Sequence, residues 1–170
     1  MNAINDRYSK LSSDVKKLHQ EITKKAVGCE YLTRIYKGSI ILFSPLIQKP
    51  DIMLLGINSG DGYFDECGEN IESFHPHSKL QYLDYDYQLA SETKSVFKSA
   101  GLCDMLKNSA VKSNIFFQAT DSEKTLKYLK YELKASYEID LDEISRTWTL
   151  ELIDIVKPKT ILCEGISAFK

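Results

Sequence analysis

An apolar run, Ile52-Met53-Leu54-Leu55, stops abruptly in a glycine-rich loop, Gly56-Ile57-Asn58-Ser59-Gly60-Asp61-Gly62-Tyr63-Phe64, that carries a carboxamide. Gly56, Gly60 and Gly62 are expected to let the backbone take positive φ and approach a ligand closely, and Asn58 is the polar group presented there. An amide is no strong base, so chemistry at Asn58 would be positioning rather than proton abstraction. The plain alternative is a turn residue, since Asn bonds its own backbone at strand ends. His75 and His77, with Asp65 and Cys67 upstream, have metal-ligating side chains, but two ligands at i and i+2 in a loop are common by chance and no metal site is expected. Lys124, Lys127 and Lys130 are three apart on one helix face, where a solvated face is the simpler account than phosphate contact. Cys29, Cys67, Cys103 and Cys163 form no C-x-x-C pair; Cys103 and Cys163 follow leucines and read as small hydrophobes. Reduced thiols are expected, not a zinc ribbon or a disulfide framework.

These residues need a scaffold. An unbroken apolar run ended by Gly is the pattern of a strand buried on both faces of a parallel sheet, and open α/β sheets bind ligands at the carboxyl ends of such strands. Leu11, Val15, Leu18, Ile22 and Ala26 recur at spacings of three and four, which predicts an amphipathic helix over Asp6 to Val27. Ile35 to Phe43 is β-like. The segment from Ser59 to Asp86 is long for a connection and reads as a functional loop. Helical patterning runs from Gln88 to Leu106, broken by Gly101. A second strand is predicted over Val111 to Phe117, a helix over Ser122 to Ala135, and a final helix over Leu141 to Val156 that ends before Pro158. Thr160-Ile161-Leu162-Cys163 reads as a third buried strand closed by Gly165. This βαβ-like order implies parallel strands with helices on both faces.

With 170 residues, the chain is long enough for one domain, residues 1–170, with a core that needs no staples. Its 43% hydrophobic and 27% charged content describes a folded globular chain rather than a disordered one. No stretch reaches the roughly 20 apolar residues of a membrane span, and the N-terminus lacks a signal-peptide pattern, so a cytoplasmic protein without membrane contact is expected. Net charge is −2, from 22 basic against 24 acidic residues, so any grip on DNA would have to be local.

Gly56-Ile57-Asn58-Ser59-Gly60 resembles the Gly-hydrophobic-Asn-Pro-Gly motif of the mismatch-specific and single-strand-selective branches of the uracil-DNA glycosylase superfamily. Lys37 to Phe43 precedes the motif strand; Val111-Lys112-Ser113-Asn114 resembles the second strand with its base-reading Asn; Ile155 to Phe169 is similar to the helix–strand–turn that follows. The likeness runs from about Lys37 to Lys170. Ser59 replaces the motif proline, loosening a turn whose φ proline would fix. The family's terminal His-Pro-Ser-like loop and the strand before it would lie beyond Lys170; Phe74-His75-Pro76-His77-Ser78 has similar letters in a different place.

The resemblance implies a three-layer α/β/α sandwich with a short, mainly parallel sheet, and hydrolytic removal of uracil or a related damaged base from DNA without a cofactor. In that reading Asn58 orients water toward the sugar C1′, and Asn114 pairs with the uracil O4 and N3–H edge. Tyr63, Phe64 or Phe74 stacks on the flipped base, and backbone around Gly56, Ile57, Ser59 and Gly60 lines the site. The alternative is a non-catalytic nucleic-acid or protein-binding module on the same fold. Two spatial expectations follow: Asn58 and Asn114 leave adjacent strands at one edge and share a cavity, and the Thr160–Cys163 edge is covered by the Ser59–Asp86 loop, the N-terminal helix or a second copy of the chain.

Overall fold

A computed structural model describes residues 3–60, 71–165 and 168. Its centre is a parallel sheet in the order β4-β2-β6, with β2 at Ile52–Gly56, β4 at Ala110–Asn114 and β6 at Thr160–Cys163. The register pairs Leu54 with Lys112 and Gly56 with Asn114 on one side of β2, and Leu55 with Cys163 on the other.

The apolar run of β2 has a direct packing cause. Met53 and Leu55 point into a core with Leu11 and Val15 of α1 (Ala3–Ala26) and with Leu152 and Val156 further along the chain. Ile52 and Leu54 point the other way, onto Tyr82, Phe97 and Leu106. Both faces of the strand are therefore apolar because both are covered. Full burial of a side chain such as Leu54 contributes about 2 kcal/mol.

The helices follow local signals. After α2 (Glu30–Ile35), the predicted Gln88–Leu106 helix divides into α3 (Gln88–Ser99) and α4 (Cys103–Asn108), because Gly101 takes φ +72° between them. The helix α5 (Glu123–Tyr137) starts where the Ser122 hydroxyl accepts the Thr125 N–H at 3.1 Å. Asp140 caps α6 (Leu141–Val156) by accepting from the N–H groups of Asp142 and Glu143, and Pro158 follows its end.

Several expectations are corrected. The β-like segment Ile35–Phe43 is a helix end followed by the short strand β1 (Gly38–Ile40). Strand β1 belongs to a second sheet in the order β3-β1-β5, with β3 at Ile71–Ser73 and β5 at Gln118–Ala119. There β1 runs parallel to β3 and antiparallel to β5, so the strands are not parallel throughout. Beyond β1 the chain continues along β4: Phe43 N–H donates to the Lys112 carbonyl at 2.9 Å, and Lys112 N–H to Ser44 Oγ at 3.0 Å. The Val111–Phe117 strand stops at Asn114, although the Ile115 and Phe116 N–H groups still donate to the Gly56 and Ile57 carbonyls. The long segment from Ser59 to Asp86 holds β3 and a 3₁₀ turn at Gln81–Leu83.

The third strand sits beside β2 as expected, but it is not buried. Ile161 and Leu162 are 39% and 43% exposed, since β6 is an edge and no described element packs over its outer side. The helix α1, one of the expected covers, lies instead on α6 and α2. Cys103 is likewise exposed rather than buried, on a helix start whose Leu102 also faces solvent. No helix among the described residues is long and apolar enough to cross a membrane.

Candidate functional site

The carboxyl ends of β2 and β4 open into a cavity of about 620 Å³ lined by Phe43, Gly56, Ile57, Asn58, Ser59, Gly60, Tyr87, Lys112, Asn114 and Glu164, among others. Asn58 and Asn114 thus share one space, as their adjacent parallel strands require.

Asn58 is held in a defined orientation. The Thr120 hydroxyl donates its single proton to the Ser122 carbonyl at 2.9 Å, so toward Asn58 it acts as an acceptor. Asn58 Nδ2 donates to it at 2.8 Å and to the Ser59 carbonyl at 3.1 Å. Both N–H groups are spent, and Oδ1 has no partner among the described residues. Asn114 is buried, and its amide lies against Ser59 and Ser113. With both ends satisfied, its oxygen accepts the Ser59 N–H at 3.1 Å and its nitrogen donates to the Ser113 carbonyl at 3.2 Å. One further N–H remains on that amide, while the Ser59 hydroxyl, 3.3 Å from its oxygen, is placed to donate to the second lone pair.

Gly56 lies between Asn114 and the β6 side, where Glu164 N–H donates to the Leu55 carbonyl at 2.8 Å. Its glycine is needed for room, not for backbone freedom. Among the described glycines positive φ falls at Gly38, Gly101 and Gly165, which corrects the expectation for Gly56 and Gly60. A Cβ on Gly56 would overlap the Asn114 amide nitrogen and come within 3.7 Å of Glu164 Oε2, while Gly60 faces open space. Gly56→Ala should therefore cost about 1–3 kcal/mol of stability and push Asn114 off Ser59. An unchanged urea midpoint in that variant would show that the Asn114 side chain yields freely.

The cavity floor holds a group that sequence reasoning missed. Lys112 Nζ donates to Glu164 Oε2, with the two side chains only 6% and 4% exposed. Tyr82 Oη donates to Glu164 Oε1 at 2.6 Å, and the ammonium lies 4.6 Å from the centroid of the Tyr82 ring. Burial pushes the Lys112 pKa below its ordinary value, and the Glu164 carboxylate opposes that shift. Burial, then the adjacent Glu164 charge, pushes the Tyr82 hydroxyl far up, so it stays a donor at any ordinary pH. The signal was a lysine inside Val111-Lys112-Ser113-Asn114, a strand otherwise read as buried.

No family model, curated protein or solved structure matches this chain.

The other expected site residues are distributed differently. Tyr63 and Phe64 lie outside the described residues. Phe74 is buried against α1, edge-on to His19 at 5.6 Å, and lines a separate cavity of about 400 Å³ with Tyr8 and Ser12. Among the described residues, the rings that border the Asn58 cavity are Phe43 and Tyr87. His77 stacks on Phe43 at 6.4 Å, and no cluster of three or more metal-ligating side chains occurs among the described residues. Lys130 is paired with Asp142 over the Phe116 ring, leaving the lysine face of α5 only partly free.

Proposed function

We propose that the chain is a DNA base-excision glycosylase that binds a uracil-like base in the Asn58–Asn114 cavity and hydrolyses its bond to the sugar, on a three-layer α/β/α sandwich of the uracil-DNA glycosylase type. The observation that carries this reading is the shared cavity: one carboxamide with a free oxygen and a second with a spare N–H donor, at the carboxyl edge of two adjacent strands. The volume of about 620 Å³ lies in the range of small-ligand sites. Asn58 Oδ1 orients a water toward C1′. The C1′–N bond breaks with its electron pair on the base; the water oxygen bonds C1′, and the proton it loses ends on the released base. Asn114 offers its remaining N–H to the base edge, where a uracil carbonyl accepts it and the cytosine amino group does not.

A non-catalytic binding module is the second reading. What favours it is the lining, in which, among the described residues, Glu92, Glu123 and Glu164 face one cation, Lys112. A neutral base suits this space better than a phosphate does, so the DNA backbone must be met elsewhere. The deciding experiment incubates the protein with uracil-containing single- and double-stranded oligonucleotides, then treats them with alkali. Strand breaks at uracil are expected; binding without breaks would make the module the correct reading.

A further inference from the structure

We propose that Lys112 is a catalytic residue of this cavity: its ammonium donates to a carbonyl oxygen of the bound base and stabilises the negative charge that collects there as the glycosidic bond breaks, while Glu164 and Tyr82 act as positioning residues that hold it. The inference rests on the base-excision reading and adds to it the group that takes up the leaving charge.

An ammonium has three N–H groups, and a buried one that leaves them unused is costly. Lys112 spends one on Glu164, and no other oxygen or nitrogen acceptor takes one among the described residues. Its remaining N–H groups meet only the face of Tyr82 at 4.6 Å and that of Phe43 at 5.8 Å. Yet the side chain borders the same cavity as Asn58 and Asn114. A donor that is buried, incompletely satisfied and set in the wall of a cavity is arranged for an acceptor that arrives with the ligand. The Tyr82 hydroxyl, at 2.6 Å from Glu164 Oε1, draws off part of the carboxylate charge that would otherwise neutralise the ammonium. Glu92 and Glu123 are the other charged groups of the lining among the described residues. Among the described residues of that lining, no charged group other than Lys112 could stabilise a departing anion. Hydrolysis is speeded by such a group: the electron pair of the C1′–N bond moves onto the base and spreads to its carbonyl oxygens before the base is protonated. A fixed cation there acts where charge develops and requires no reorganisation.

The test compares single-turnover excision of uracil and of 5-fluorouracil, whose anion is intrinsically more stable, by wild type, Lys112→Met and the double variant Lys112→Met/Glu164→Gln. The double variant leaves no unpaired buried charge and serves if the single one does not fold. Loss of Lys112 should slow uracil removal by roughly 10²-fold and 5-fluorouracil removal by much less, because the better leaving group needs less help. Equal losses on both bases, or no loss on either, would overturn the proposal. If Asn58→Ala is inactive while the Lys112 variants excise normally, the base-excision reading stands and this inference alone falls. A wild type that excises neither base overturns the reading and the inference with it.

Discussion

Glu164→Leu should cost the fold about 3–5 kcal/mol in urea unfolding, because it strands the Lys112 ammonium in a site where only 6% of that side chain reaches solvent. The measured loss would contain little of the intrinsic strength of the ion pair. Most of it is the penalty of an unpaired buried charge, and removing all the polar partners together tests this. Lys112→Met, Glu164→Leu and Tyr82→Phe combined should recover most of the loss, since neither an ammonium nor a hydroxyl is then left without its carboxylate. If the triple variant is as unstable as Glu164→Leu alone, packing rather than desolvation sets the cost. A fold retained at such expense points to use of the pair rather than to its contribution to stability.

The second large effect belongs to Asn58. Asn58→Ala should lower uracil excision by roughly 10²-fold or more, about 2.7–4 kcal/mol of barrier, the usual loss when one oriented transition-state partner is removed. Stability should change far less, because Asn58 is only half-buried and its amide bonds a carbonyl and a hydroxyl that both have other partners. The rate constant and the unfolding midpoint need to be measured on the same preparation. A parallel fall in both would reduce Asn58 to the turn residue that the sequence equally allows.

The parts of the fold that were legible in the sequence are those with local causes. The bounds of α6, Leu141–Val156, follow from the Asp140 cap and from Pro158; β2 and β6 follow from their unbroken apolar letters. The division at Gly101 was visible as a break, though not as two helices. What escaped has non-local causes. Strands β1, β3 and β5 are only three, three and two residues long, too short to show a period, and they exist through pairing with one another. The exposure of β6 depends on what lies beside it, which four apolar letters do not record. Within the site, Asn58 and Asn114 were legible because each ends or follows a strand. Lys112 and Glu164 are 52 residues apart, and only the register of β4 and β6 on either side of β2 brings them together. Phe74 was misplaced for the opposite reason: it is close to the loop in sequence, but its backbone is tied to α1 through the Ser12 hydroxyl at 2.9 Å.

Ser59 receives both amides. Its carbonyl takes the Asn58 Nδ2 and the Thr120 N–H, and its own N–H goes to Asn114. One peptide segment therefore sets the attitude of both side chains, and neither can be adjusted alone. On the proposed base-excision reading, a mutational path that altered base preference by reshaping Asn114 would drag Asn58 with it, and selectivity and turnover would evolve as a single trait.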